Sequence, residues 1–254
     1  MRLLVWNIRA GGGRRVESIL AEVRLVNPDV CVFSEFRGTP PSQWLAKALK
    51  QIGFEYQRKA EGPDVLNTVF LASKYPLRKV GINCAPEEPG RWLSVRTQAV
   101  NLGLVHIPNE VTKRKDSYLQ SVLDVAARWG KQDALILGDT NSGRPHLDEE
   151  NPVFDERYTA WFDALERLKW ADAFRHLHGD AREFTWYSPN KGNGFRLDQV
   201  FMSPSMTKRI CHFEHRWAGA GARKEKSTAK EIQKGKTRRD AVSDHAAMVV
   251  EFEP

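Results

Sequence analysis

An α/β fold of two packed β-sheets flanked by helices is predicted by three observations. Short apolar runs of strand length recur along the chain, a few stretches carry apolar residues at helical spacing, and Pro or Gly punctuates the junctions. Many strands with few intervening helices and mixed connections favour two sheets packed on one another. With 254 residues, 41% of them hydrophobic, there is material for one large core. No internal repeat or dividing linker is visible, so a single domain over residues 1–254 is expected.

The elements follow in order. Arg2–Ile8 reads as a buried strand that Gly11-Gly12-Gly13 breaks. Val16, Ile19, Leu20, Val23 and Val26 recur at helical spacing until Asn27-Pro28 ends the run. Residues 29–34 form a second apolar strand, and residues 41–51 suggest a short helix. Strand-like segments follow at 54–59, 67–72, 79–83, 92–98 and 99–107. Tyr118, Val122, Val125, Ala126 and Trp129 mark a helix with Gly130 as its stop, and residues 134–137 are the next buried strand. Residues 158–170 read as helical, with Trp161, Phe162, Leu165 and Leu168 on one side, and 171–177 as a further turn or helix. Segments 184–187, 197–202, 210–216 and 246–252 complete the strand set. Which strands pair is not legible at this level.

The bulk properties exclude several classes. Three cysteines, Cys31, Cys84 and Cys211, are an odd number with no Cys-x-x-Cys neighbour, which argues against structural zinc and for a reducing, cytoplasmic setting. The N-terminal apolar stretch is too short for a signal peptide and no window has the length of a membrane span, so a soluble protein with no membrane partner is expected. Nothing bears on oligomeric state. The net charge of +7 invites a polyanion. Its distribution is uneven: the stretch 218–240 holds eight basic and three acidic residues, most of the excess. That basic insertion reads either as a solvated loop or as a nucleic-acid contact.

Polar residues cluster where apolar runs end. Asn7 follows Val5-Trp6, where an asparagine also serves as a turn former. Glu35 follows Val32-Phe33-Ser34, where a carboxylate must be paired, solvated or bound to a cation. His106 stands in Val105-His106-Ile107-Pro108-Asn109 at another strand exit. Asp139 and Asn141 follow Leu135-Ile136-Leu137-Gly138, and on an extended exit they point the same way. Arg196-Leu197-Asp198 places a base and an acid on one strand face, either for a site or as an intrastrand ion pair. Ser243-Asp244-His245 precedes the run Ala246-Ala247-Met248-Val249-Val250, and a neighbouring carboxylate can fix a histidine tautomer and raise its basicity.

In their joint order, Asn7, Glu35, His106, Asp139-x-Asn141, Arg196-x-Asp198 and Ser243-Asp244-His245 resemble the endonuclease/exonuclease/phosphatase family. That superfamily includes exonuclease III, abasic-site endonucleases, deoxyribonuclease I, inositol-polyphosphate 5-phosphatases and neutral sphingomyelinases. The resemblance runs from Trp6-Asn7 to His245, and Ser73-Lys74-Tyr75-Pro76-Leu77 also looks like a family segment. It implies a four-layer α/β sandwich with the site at one edge of the two sheets. It also implies Glu35 as principal metal carboxylate assisted by Asn7 and Asp244, and Asp139 as the group that deprotonates the attacking water. Asn141 would bind the scissile phosphate, with His245, held by Asp198, contacting that phosphate or sharing the base role. His106 would lie near the leaving oxygen. Hard oxygen donors suit Mg²⁺ or Mn²⁺ rather than zinc.

The segment Phe184-Thr185-Trp186-Tyr187, followed by Gly194-Phe195-Arg196-Leu197-Asp198, is similar to the exonuclease III and abasic-endonuclease branch. There three apolar residues line a pocket for a base-free sugar, and their counterparts are Trp186, Phe195 and Leu197, which plain core packing would also explain. Arg196 and Asn109 complete the expected substrate-binding set. Two departures stand out: Glu35 lies between Ser34 and Phe36-Arg37 where that branch carries Gln and Thr-Lys, and the 218–240 insertion is unlike its compact connection. The resemblance therefore implies a Mg²⁺-dependent phosphodiesterase acting on DNA. The alternatives are an esterase of the same superfamily for nucleotide, inositol or lipid headgroups, or a non-catalytic nucleic-acid-binding relative.

Overall fold

The computed structural model describes residues 1–109, 114–219 and 241–253. The strands are β1 (Arg2–Asn7), β2 (Val30–Phe36), β3 (Tyr56–Lys59), β4 (Thr68–Ser73), β5 (Arg78–Lys79), β6 (Trp92–Thr97) and β7 (Val100–His106). They continue with β8 (Ala134–Asp139), β9 (Ala171–Asp172), β10 (Trp186–Tyr187), β11 (Gly194–Phe195), β12 (Asp198–Met202), β13 (Ile210–Arg216) and β14 (Ala247–Phe252). The helices are α1 (Val16–Val26), α2 (Pro40–Gln51), α3 (Lys115–Trp129), α4 (Thr159–Arg167) and α5 (Ala173–His178).

Two six-stranded mixed sheets carry the fold, ordered β13-β14-β1-β2-β4-β3 and β5-β6-β7-β8-β12-β9, with β10-β11 as a separate ladder. Only β1/β2 and β7/β8 pair in parallel within the named ladders, and both pairs lie at the centre of their sheets. Side chains alternate across each strand, so Leu3 and Val5 meet Leu102, Leu104, Leu135 and Leu137 between the sheets. The opposite face of the first sheet, with Leu4, Trp6, Cys31 and Phe33, is covered by Ile19, Leu20 and Val23 of α1 and by Leu45 and Leu49 of α2. The opposite face of the second, with Val105, Ile136 and Phe201, is covered by Tyr118, Val122 and Trp129 of α3 and by Trp161 and Phe162 of α4. Helix, sheet, sheet and helix therefore form the four layers. The three cysteines are free thiols. No helix among the described residues is long and apolar enough to cross a membrane.

Several expected boundaries differ. Residues 80–83 are not strand: the ladder with β6 covers Arg78 and Lys79, and the bonds between Val80 and Ser94 are its last links. The helix expected over 158–170 stops at Arg167, and Lys169 adopts a left-handed φ of 66°, which turns the chain back towards β9. The run at 134–137 extends to Asp139, because β7 and β12 pair with it that far. The basic insertion lies outside the described residues apart from Ala218 and Gly219.

Candidate active site

Register brings three of the polar residues abreast. On the second sheet His106 lies opposite Asp139 across β7/β8, and Asp198 lies opposite Asp139 across β12/β8. The close approach of β7 and β8 depends on Gly138, where a Cβ would fall 2.1 Å from the Val105 carbonyl oxygen at a φ of 139°. His245, just before β14 of the first sheet, donates from Nδ1 to Asp198 Oδ2 at 2.8 Å. Asn7, at the end of β1, crosses between the sheets: its Nδ2 donates to Asp139 Oδ2 at 2.9 Å and to Glu35 Oε1 at 3.3 Å. Residues more than a hundred positions apart thus share one hydrogen-bonded cluster at the sheet edge.

Glu35 reaches that edge through a departure from regular strand. The β2/β4 register shifts between Phe33 and Phe36, and Glu35 itself has a φ of 58°. Such a bulge re-aims a side chain at a conformational cost of about 1–3 kcal/mol. The Ala10 N–H holds its Oε2 at 2.7 Å, while the Gly11 N–H binds its main-chain oxygen. Asn141 is likewise left-handed, with a φ of 46°, so the expected extended alternation ends at Asp139. Its N–H donates to Asp139 Oδ1 and its Nδ2 to the Ile107 carbonyl, both at 2.9 Å. Asp244 lies at the mouth with its side chain 35% exposed, 3.8 Å from Arg9 Nε.

Electrostatics separates the three buried titratable groups. Burial raises the Asp139 carboxyl, and the neighbouring Asp198 raises it further, against the opposing pull of His245 and His106. Burial also works against a charged His245, but Asp198, through charge and hydrogen bond, outweighs it and lifts the imidazole to about 10. Burial lowers His106 to about 4, more than the nearby Asp139, 3.9 Å away, can offset. At neutral pH one histidine is therefore charged and the other neutral. His106 Nδ1 is buried with no hydrogen-bond partner among the described residues.

The apolar residues also converge. Trp186 pairs with Phe195 across β10/β11, their rings 5.9 Å apart, and Trp186 lies 6.4 Å from the His245 ring. Leu197, two residues after Phe195, is buried, and its carbonyl accepts the Thr140 N–H. Asn109 is exposed three residues beyond β7.

Arg196 requires a correction. Its guanidinium is 1% exposed and pairs with Asp148 at 2.8 Å and Asp172 at 2.5 Å, so it is neither a substrate contact nor the ion-pair partner of Asp198. One residue of separation by Leu197 puts Arg196 ahead of β12, where it turns into a charge cluster under α5 instead of the sheet edge.

Three residues, two of them inside motifs already singled out, position the site in ways their sequence context does not show. The Thr185 hydroxyl accepts the N–H groups of Leu197 and Asp198 at 3.0 and 3.2 Å, fixing the start of β12. The Ser243 hydroxyl donates to the Asn7 carbonyl at 2.6 Å and so ties the segment before β14 to β1. Lys115, buried at the start of α3, donates to the Asn141 carbonyl at 2.5 Å. A lysine among exposed helical charges gives no hint of such a role.

Asp139, Asp198 and His245 are close enough for one ion to touch all three. Asp198 and His245 are, however, already bound to each other, and a charged imidazole offers no lone pair. Glu35 accepts from Asn7 and Ala10, and Asp244 lies 3.8 Å from Arg9, yet each carboxylate keeps oxygen lone pairs for a cation.

Acid, amide and imidazole groups thus meet at the edge of the two sheets. The family model described as "Endonuclease/Exonuclease/phosphatase family" matches residues 4–245. The chain belongs to that family. It is 22% identical to an exodeoxyribonuclease of Streptococcus pneumoniae serotype 4, with 83% of this chain and 92% of that protein covered. Among solved structures it is similar to an AP endonuclease from Archaeoglobus fulgidus, with a TM-score of 0.80 and 17% identity over the whole of both chains. It is also similar to a 3' phosphatase from Neisseria bound to a product DNA hairpin, with a TM-score of 0.78 and 18% identity over the whole of both.

Proposed function

We propose that this protein is a divalent-cation-dependent phosphodiesterase acting on DNA, an exonuclease III-like nuclease or abasic-site endonuclease working as one catalytic unit in the cytoplasm. The observation that supports this most is the Asn7 amide, which ties the carboxylates of Glu35 and Asp139 together across the two sheets. Such a bridge aligns a cation-binding group with a base.

Each residue then has a task. Asp139, its proton affinity raised by burial, takes the proton of the attacking water. His245, held charged by Asp198, offsets negative charge on a non-bridging oxygen. Neutral His106 lies beside Asp139 and offers a hydrogen bond at the leaving oxygen. Asn141 spends one N–H on Ile107, and an amide carries two, which leaves one for the phosphate. Glu35, Asp244 and Asn7 would hold the cation. Their oxygen donors suit Mg²⁺ or Mn²⁺, and the surplus of carboxylates at the mouth suits a cation's charge. When bound, the ion supplies Lewis-acid stabilisation of the phosphate. Trp186, Phe195 and Leu197 form the wall against a base-free sugar, and Asn109 contacts the strand. The basic insertion 218–240 adds phosphate contacts, so deleting it should flatten the salt dependence of DNA binding.

The test is incubation of the purified protein with abasic duplex, nicked duplex, 3'-phosphate ends, single strands and small phosphoesters, with Mg²⁺, with Mn²⁺ or with chelator. Cation-dependent cleavage of one DNA substrate above the small esters is expected. Faster turnover of a headgroup phosphoester than of any DNA would reject the DNA reading, and binding of DNA without cleavage would favour the non-catalytic alternative.

A further inference from the structure

We propose that Glu149 is a positioning residue for substrate selection: its carboxylate folds the segment 146–154 so that the Phe154 ring buttresses Phe195 in the sugar wall. This deepens the abasic-site reading above and rests on it. Glu149 is 1% exposed, and no ion pair reaches it among the described residues. A carboxylate buried without a cation is costly unless hydrogen bonds replace the lost water. Main-chain donors do so here. The His146 N–H reaches Oε1 at 2.9 Å, and the Val153 and Phe154 N–H groups converge on Oε2, the latter at 2.7 Å. No step of the mechanism uses this acid, so its task is geometric: it closes the chain from His146 to Phe154 around one carboxyl group.

The same loop is fastened to β11. Glu149 lies opposite Phe195 in an antiparallel bridge. Beside it the Glu150 N–H donates to the Gly194 carbonyl, and the Arg196 N–H to the Asp148 carbonyl, both at 2.8 Å. The Asn151 N–H and Nδ2 donate to Asn193 Oδ1 at 2.8 and 2.9 Å, and Asn193 Nδ2 returns a bond to the Asn151 carbonyl at 3.0 Å. Loop and β11 are therefore held as one unit.

Phe154 ends that unit against the wall. Its ring meets Phe195 edge-on, with centroids 5.3 Å apart and planes at 69°, while Trp186 lies 5.9 Å from the same Phe195 ring. Phe154 also lies against Gly143, two residues past Asn141, where a Cβ would fall 2.5 Å from its Cε2. The ring is thus wedged between the turn that carries Asn141 and the aromatic wall. Edge contact between aromatic rings has a preferred geometry. Phe154 therefore limits the positions open to the Phe195 ring and keeps the pocket at the size of a sugar without its base.

The test titrates two fluorescent duplexes, one intact and one carrying a stable abasic-site analogue, by anisotropy in chelator with wild type, Phe154→Leu and Glu149→Gln. Wild type should bind the abasic duplex more tightly. Phe154→Leu should lower that preference about three- to tenfold, the worth of one aromatic pair, mainly through weaker binding of the abasic duplex. Glu149→Gln should shift it the same way, because the amide keeps one acceptor oxygen and turns an NH₂ group towards a main-chain N–H. The double variant should lose no more than the larger single loss, since both act through one ring. Equal weakening on both duplexes, or an unchanged preference in Phe154→Leu, would overturn the assignment and leave Glu149 a residue of loop folding. If Glu149→Gln does not fold, Phe154→Leu alone decides. A wild type that cleaves DNA with no abasic preference overturns this inference and keeps the nuclease reading. A wild type that neither binds nor cleaves DNA rejects the nuclease reading, and this inference with it.

Discussion

Two buried charge clusters lie two residues apart in sequence, and they are built on opposite principles. Arg196 belongs to a closed cluster in which two carboxylates, Asp148 and Asp172, meet two guanidiniums, Arg196 and Arg175. Burial alone would raise Asp148, but Arg196 and Arg175 outweigh it and hold the carboxyl below its usual range. Charge is balanced within the cluster, although Arg196 Nη1 and Arg175 Nε are buried without a hydrogen-bond partner among the described residues. Asp198 belongs to the other cluster, where Asp139 and Asp198 share one charged imidazole and Glu35 and Asp244 add further negative charge at the mouth. That imbalance is unfavourable for folding, and in the function proposed above it serves to grip a cation and move a proton. Compensation within a cluster marks structure; a deliberate surplus open to solvent marks chemistry.

The contrast can be broken most sharply at His245. His245→Ala should reduce turnover roughly 100- to 10,000-fold, with a thermal midpoint close to wild type; near-normal turnover would remove the imidazole from the mechanism. Glu35→Ala should likewise abolish cation-dependent cleavage, and it should weaken Mn²⁺ binding measured by calorimetry.

Arg196→Ala is expected to do the reverse. Breaking a buried pair strands its carboxylates and costs about 3–5 kcal/mol, read as an earlier denaturation midpoint. Turnover per folded molecule should be preserved. A stable but inactive Arg196→Ala protein would move Arg196 back into the site.

The pH profile sharpens the same division. Cleavage should fail as acid protonates Asp139, on a limb above the ordinary carboxylate range because its affinity for the proton is raised. It should fail again as alkali discharges His245 near pH 10. Asp198→Asn removes the charge that holds His245 protonated, so the alkaline limb should move towards an ordinary histidine value, with a rate–pH profile as the measurement. An unmoved limb would mean that another group titrates there.

The smallest effect is expected in the aromatic wall. Trp186→Ala should slow abasic-site cleavage about tenfold more than cleavage of intact strands, the worth of one stacking contact of about 1–3 kcal/mol. Equal losses on both substrates, or failure to fold, would assign Trp186 to the core.

By itself, the sequence was enough for the layered α/β class and nearly every strand, because apolar alternation and Pro/Gly punctuation are local properties. α1 and β13 match their expected limits, and the polar residues Asn7, Glu35, His106, Asp139, Asp198 and His245 stand out because each interrupts or ends an apolar run. The sequence could not separate Arg196 from Asp198, because alternation places both on one face and says nothing of Asp148 or Asp172. Nor could it show that Glu35 reaches the site through a bulge, or that Thr185, Ser243 and Lys115 hold it in place. Those facts depend on strand register and on partners far away in the chain. Only the tertiary structure decides them, since burial and pairing are properties of neighbours in space.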